Sequence, residues 1–298
     1  MKRILSLVLV LGAACVPLSA MQGAQDGWDG QRYKENSSPQ VKSAVSIIDQ
    51  FIKDWSFFKR ILDAGCGAGD FTAIMANKAP EGAKIIGLDK STSMIRAAIE
   101  AFGQNPDRLE FMWSDLCTME PLQEPVDLVT CFACLVWIKD QHAALKNIAL
   151  SMRPGAPLLL SCSAQPMDDI FIRAFTVTTR TDKWADHFTD YCDAQHYYPQ
   201  TVEGLSALFT SVGLTPIKVT PLQREYPFQN IDKFADWVFA FASDIEAIKA
   251  LGDLELQKEF IKDVATYYYD LLPSEQLKED GAFVHKLPLL IAMAIKSA

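Results

Sequence analysis

Ile61-Leu62-Asp63-Ala64-Gly65-Cys66-Gly67-Ala68-Gly69-Asp70 is an apolar strand running into a turn built on alternate glycines. Those glycines leave no side chains between the backbone and a ligand, which is the pattern of a nucleotide-binding loop. A hydride-transfer dinucleotide fold calls for G-x-G-x-x-G, and counting from Gly65 the last position is Asp70. The pattern is instead D-x-G-x-G-x-G. Lys84-Ile85-Ile86-Gly87-Leu88-Asp89 reads as a second buried strand ending in a carboxylate, about twenty residues past the glycines, as a ribose ligand requires. Between them Phe71, Ile74 and Met75 have the spacing of a crossover helix face. A third strand, Leu109-Glu110-Phe111-Met112-Trp113, leads to Ser114-Asp115-Leu116. Any one of these carboxylates reads equally as a helix cap or a solvated turn. Three in order, each at the end of a strand pattern, point to a ligand.

The surrounding chain alternates strands and helices. Val41, Val45, Ile48 and Ile52 recur at helical spacing ahead of the first strand, and Val126 to Phe132 reads as a fourth strand. A helix from about residue 140 to 152 ends at Pro154-Gly155, and Pro157 to Ser161 supplies a fifth strand. Such alternation implies a parallel sheet with right-handed crossovers. An aromatic-rich insert over 164–200 carries Trp184, Tyr191, Tyr197 and Tyr198, followed by a helix near Val202 to Val212. A sixth strand starts at Pro216 to Leu222, and Phe283 to Ile295 reads as a seventh. Between them lie two helical patterns, one with Phe234, Trp237, Val238 and Phe241, the other with Phe260, Val264, Tyr267 and Tyr268. Together they suggest a lid over 231–275.

Composition narrows the partners. With 298 residues the chain can bury a full α/β core and one further lobe, and 49% hydrophobic with 22% charged residues suits a globular protein. A net charge of −9 without a long Lys/Arg run argues against a nucleic acid partner. Met1-Lys2-Arg3, the apolar run Ile4 to Val16 and Pro17-Leu18-Ser19-Ala20 have the three regions of a secretory signal, too short to span a membrane. Residues 1–20 are therefore expected to be a signal peptide or an apolar extension. Cys66, Cys131, Cys134 and Cys162 fall in or beside core strands. Cys131-Phe132-Ala133-Cys134 has no second pair at zinc spacing, and a strand would set its members on opposite faces, so neither a metal nor a redox site is favoured.

The glycine motif and the two strand-end carboxylates resemble those of the class I S-adenosylmethionine-dependent methyltransferases. The resemblance implies a Rossmann-like α/β fold: a seven-stranded, mostly parallel sheet with an antiparallel last strand, helices on both faces and a helical lid, occupying residues 21–298. It implies S-adenosylmethionine as cofactor, held by Asp63, Gly65, Cys66, Gly67 and Gly69 of the loop, Asp89 and Lys90, Ser114, Asp115 and Leu116, and Phe132. Cys131 to Asp140, Ala144-Leu145-Lys146-Asn147-Ile148 and Arg153-Pro154-Gly155 resemble the matching block of the trans-aconitate and juvenile-hormone-acid carboxyl methyltransferases. Asp236-Trp237, Phe260, Tyr267 and Asp280-Gly281 resemble the trans-aconitate branch. In those families a Gln before the first helix and a Trp after the fourth strand help hold the substrate carboxylate, which maps to Gln40 and Trp137. Relatives commonly carry His before that Trp; here it is Val136.

A carboxylic acid acceptor suits this residue set. Its pKa near 4 makes it already the nucleophile at neutral pH, needing orientation and not a base. Gln40 can donate two amide hydrogens and the Trp137 indole one. The expected substrate is a small or medium organic acid. The aromatic insert and lid favour an apolar body, while Arg173, Arg180 and Arg224 can receive a second carboxylate. Two other readings use the same motifs: methylation of a malonyl group on a carrier protein, and a secreted binding or effector protein that keeps the fold without turnover.

Overall fold

The computed structural model describes residues 28–165, 170–189, 198–242 and 246–298. The expected leader over residues 1–20, and Tyr191 and Tyr197 of the insert, lie outside them. Strands β1 (Arg60–Ala64), β2 (Lys84–Asp89), β3 (Leu109–Trp113), β4 (Leu128–Phe132) and β5 (Pro157–Ser163) pair in parallel. β1, β4 and β5 are buried along nearly their whole length, as central strands covered on both faces must be. The two long strands β6 (Leu214–Phe228) and β7 (Phe283–Lys296) complete the order β3-β2-β1-β4-β5-β7-β6, with β7 antiparallel to both neighbours.

Ten helices connect these strands among the described residues. They are α1 (Gly30–Asn36), α2 (Ser38–Phe51), α3 (Asp70–Lys78), α4 (Thr92–Phe102), α5 (Gln141–Leu150), α6 (Ile170–Thr179), α7 (Val202–Ser211), α8 (Ile231–Ala242), α9 (Glu246–Lys249) and α10 (Leu254–Asp270). Local chemistry fixes where several begin. Ser91 Oγ accepts from Met94 N at 3.1 Å to cap α4, and Asp140 and Asp253 cap α5 and α10 in the same way. α3 starts at Gly69, whose φ of +85° suits glycine.

The sheet packs one core on each face. Leu62, Val129, Leu160 and Ala292 meet Leu145 and Phe209 on one side, and Ile61, Ile85 and Leu128 meet Ile48 and Met75 on the other. In a third cluster Phe234 of α8, Phe260 and Tyr268 of α10, Phe175 of α6, Trp184 and Phe283 of β7 bury one another. Trp184 tethers this cluster by donating its indole N–H to Asp263 at 2.8 Å.

Four local expectations change. The buried face of α2 is Ser43, Ala44, Ile47 and Ile48, with Val41 and Val45 on its flank, because the small residues are turned toward a cavity that larger ones would fill. On α10 it is Tyr268 that is buried, while Tyr267 is 37% exposed. The sixth strand runs to Phe228, six residues beyond the expected segment. Cys131 and Cys134 do not share a strand: β4 ends at Phe132 and Ala133 turns through a φ of 53°, which sets Cys134 on the wall of the cavity.

β6 is the outer strand of the sheet and contains Pro216, Pro221 and Pro227. Proline has no N–H to give a ladder, so it fits on an edge. A register shift between Pro216 and Lys218 keeps β6 in step with β7 along its length.

Gly69 is one of the glycines of the turn that a side chain would strain. A Cβ there would lie 2.8 Å from the Phe111 ring and 2.9 Å from Ala98, in a left-handed conformation. Gly69→Ala is expected to cost roughly 2 kcal/mol or more, combining the αL penalty with overpacking, read as a lower Tm. An unchanged Tm would show that the turn relaxes freely.

Candidate functional site

A cavity of about 530 Å³ opens over the carboxyl ends of the parallel strands. It lies at the reversal of strand order between β1 and β4, where open α/β sheets leave a crevice. One half is polar. Gly65 and Gly67, which follow β1, border it with φ of 80° and 55° and bring bare backbone to its wall. A Cβ on Gly67 would stand 3.2 Å from Tyr33, narrowing the cleft.

Asp89 organises this half. Its Oδ2 accepts from Gly67 N at 2.9 Å and its Oδ1 from Ser91 N at 2.8 Å, so one carboxylate joins the glycine turn to the start of α4. These bonds hold the carboxylate at the cavity wall. Lys90, Ser114, Asp115 and Leu116 border the same half. Asp115 Oδ1 accepts from Cys117 N at 2.8 Å, which fixes the carboxylate's direction at the end of β3. Phe132 forms a wall, edge-on to Phe71 with centroids 5.3 Å apart.

Asp63, Cys66 and Gly69 do not border this cavity. Asp63 is buried beneath the turn, where Thr72 and Thr130 donate hydroxyls to its two oxygens at 2.7 and 2.8 Å. Burial pushes its carboxyl up to about 6 against the pull of those two hydrogen bonds. Its position supports the loop from below.

The other half is aromatic. Gln40 on α2, Trp137 in the 3₁₀ turn Leu135–Trp137 after β4, Phe171 on α6, and Trp237 and Phe241 on α8 all border it. Gln40 Oε1 accepts from Trp237 Nε1 at 3.0 Å. Trp137 meets Trp28 edge-on at 5.4 Å and Phe241 at 6.1 Å. Helix α1 roofs both halves. Gly30 N donates to Ser93 Oγ at 2.7 Å, while the Arg32 guanidinium lies 4.4 Å from the ring centre of Phe239 on α8. The long β6–β7 ribbon adds Tyr226 and His285 to the wall.

Burial holds two tyrosines and the histidine of the wall away from proton transfer near neutrality. Burial, with Asp89 next in weight, raises Tyr33; burial raises Tyr226; and burial lowers His285 to about 4. Of the arginines considered for a second carboxylate, Arg173 and Arg180 are exposed, and none of Arg173, Arg180 and Arg224 borders the cavity. Tyr33, Tyr226 and His285 did not emerge from the sequence as site residues. For Tyr226 and His285 the signal was the alternation Arg224-Tyr226-Phe228 against Phe283-His285-Leu287, which sets those side chains on one face of a ribbon.

A side-chain-free turn and two strand-end carboxylates, Asp89 and Asp115, lie on one cleft, a residue set that suits a nucleoside carrying an amino-acid tail. These features and the strand order define a class I methyltransferase site. A family model described as a methyltransferase domain matches residues 38–219. A trans-aconitate 2-methyltransferase from Escherichia coli O1:K1 / APEC is 26% identical over 270 residues, spanning 90% of this chain and 97% of the relative. A juvenile hormone acid O-methyltransferase from Bombyx mori is 23% identical over 252 residues, spanning 82% and 86%. In fold, the chain is similar to Haemonchus contortus phosphoethanolamine N-methyltransferase 2 in complex with S-adenosyl-L-methionine, with a TM-score of 0.55 at 17% identity over 90% of this chain and 57% of that one. The chain belongs to the methyltransferase domain family, as an S-adenosylmethionine-dependent enzyme.

Two measurements test the polar half. Asp89→Asn removes the charge and forces an amide N–H toward one of two backbone donors. Charge-assisted hydrogen bonds contribute roughly 1.5 to 3 kcal/mol, so calorimetry should show cofactor affinity reduced about tenfold or more. Unchanged affinity in a folded variant would remove Asp89 from the cofactor site. The second concerns Asp63, whose folded pKa of about 6 lies above its unfolded value near 4. The folded state therefore holds the proton more tightly, and this group's stability contribution falls as pH rises from about 4 to about 6. His285 acts in the opposite sense, its lowered pKa making stability rise from about 4 to about 6.5. Asp63→Asn leaves His285 in place, so urea melts at pH 4 and pH 7 isolate the carboxyl. Relative to wild type the variant should gain on the order of 2 to 3 kcal/mol between them. An equal difference at both pH values would mean that Asp63 ionises normally.

Proposed function

We propose that this methyltransferase esterifies the free carboxylate of an organic acid with an apolar body. The observation that carries this reading is the hydrogen bond from Trp237 Nε1 to Gln40 Oε1. An indole nitrogen can only donate, so the amide oxygen must face Trp237 and the amide NH2 is left for the cavity. A wall that offers N–H groups suits an anion.

S-adenosylmethionine supplies an electrophilic methyl group on its sulfonium when bound. The chain's own task is orientation and desolvation. A carboxylate is ionised at neutral pH and needs no proton removed, which matches a wall whose tyrosines are raised and whose histidine is lowered away from neutrality. Gln40, with Trp137 beside it, can direct one oxygen along the line of transfer, worth several powers of ten when the geometry is kept. Phe171, Phe241, Trp137 and Trp237 surround the acceptor with rings and exclude water. No arginine borders the cavity among the described residues, so no planar fork is there for a second carboxylate, and the cations on its wall are Lys90 and Lys139. The two relatives carry acids in their names, trans-aconitate and juvenile hormone acid, and so lend support to acid methylation.

A panel of acids incubated with labelled cofactor, with products read by mass spectrometry, should give methyl esters, fastest for apolar monocarboxylates and slowest for trans-aconitate. Methyl transfer only to amines or alcohols would overturn the acceptor class. Gln40→Ala and Trp137→Phe are each expected to lower kcat/KM for the acid five- to a hundredfold, equivalent to about 1 to 3 kcal/mol, with cofactor affinity kept. Trp237→Phe frees the Gln40 amide to turn over and should cost roughly tenfold by the same measure. Wild-type kinetics in all three would exclude the arrangement. A fall in Tm large enough to account for the loss would assign these residues to packing.

A further inference from the structure

His285 has a position that packing alone does not explain. It lies on β7 with its ring 5% exposed, inside a cage of Tyr226 at 6.2 Å, Phe234 at 5.5 Å and Trp237 at 5.4 Å between ring centres. An imidazole in such surroundings forfeits hydration, and a phenyl ring would fill the space at lower cost. Its Nδ1 is 2.7 Å from the Tyr268 hydroxyl on α10. Its Nε2 has no hydrogen-bond partner among the described residues, and the ring borders the cavity.

The direction of the Tyr268 bond decides what the other nitrogen does. A phenol is a stronger donor than acceptor, because its lone pair is drawn into the ring. Tyr268 O–H therefore donates to Nδ1, and the ring's single proton resides on Nε2. We propose that His285 is a further hydrogen-bond donor to the acceptor carboxylate, through Nε2–H, and that Tyr268 is the positioning residue that sets its tautomer. This inference rests on the acid-acceptor reading above. Trp237 connects the two donors physically: its indole holds Gln40 and its ring packs on His285. The titratable groups around the imidazole are Tyr226 from β6 and Tyr268 from α10, while α8 presents only Phe234 and Trp237. The donor is thus neutral, so it can orient a carboxylate without protonating it.

The test uses the full chain with 15N-labelled histidine, which has four such residues, and His285→Gln to assign the signal. With S-adenosylhomocysteine bound at pH 7, His285 is expected as the Nε2–H tautomer, and trans-cinnamate or decanoate, whichever the enzyme methylates, should shift that resonance. Tyr268→Phe should mix the tautomers. His285→Phe should raise KM for the same acid about tenfold with cofactor affinity unchanged, because the carboxylate's charge, and with it the pull on the donor, declines as the ester forms. His285→Gln, which retains an N–H donor, should recover part of the loss. A proton on Nδ1, a resonance unmoved by an acid that is turned over, or wild-type KM in His285→Phe would overturn the proposal. The wild-type spectrum decides the tautomer even if His285→Phe does not fold. Failure of every acid as a substrate would instead bring down the acceptor assignment, and this inference with it.

Discussion

The carboxylate of Asp89 ties together the parts from which the cofactor half is made. It stands at the end of β2, takes the amide of Gly67 from the turn after β1 and the amide of Ser91 at the start of α4. The turn after β1 is thereby held against the junction of β2 and α4 by two charge-assisted bonds. Its charge also reaches further, since it helps hold the thiols of Cys66 and Cys134 and the phenol of Tyr33 in their neutral forms. Asp63, one layer lower, supports the same turn through threonine hydroxyls.

The aromatic half is built on a different principle. Its side chains come from six elements far apart in the chain: α2, the turn after β4, α6, α8, and the two strands of the β6–β7 ribbon. Rings supply most of the contact, with few polar handles. The Gln40 amide and the His285 imidazole each have one face satisfied by another side chain, Trp237 in one case and Tyr268 in the other. Satisfying one end of a two-ended polar group gives the remaining end a definite character. Ala133, at a φ of 53° beside this wall, shows that the backbone is also under local constraint where the two halves meet.

Much of the polar half was legible in the chain because its signals are local. A glycine turn and a strand-end carboxylate each occupy a few consecutive residues, and the distance from Gly65 to Asp89 follows from one helix and one strand. The sheet, including the returning β7, followed from alternation and resemblance. Other features were hidden for physical reasons. Asp63 reads as a ligand in the motif, yet Thr72 and Thr130 claim its oxygens, and neither threonine is marked by spacing. The C-x-x-C pair was read as strand residues, but the chain leaves the strand at Phe132 and turns at Ala133, so Cys134 lies outside it. Trp237 reads as one more apolar position on a helix. Only the fold brings its indole to a glutamine 197 residues away. His285 sits in a segment whose pattern gives its face and not its neighbours.

The prolines of β6 matter for the molecule in a crowded solution. A fifteen-residue strand at the margin of a sheet would ordinarily offer a row of free amide donors to any extended chain that came near. Pro216, Pro221 and Pro227 interrupt that row, and because the register shift near Pro216 adds one residue, all three fall in the same phase of the strand. Growth of the sheet by recruitment of a second chain is thus blocked at intervals along its most exposed border. The length that β6 needs in order to carry Tyr226 out to the aromatic cluster is obtained without making the protein a template for its own aggregation.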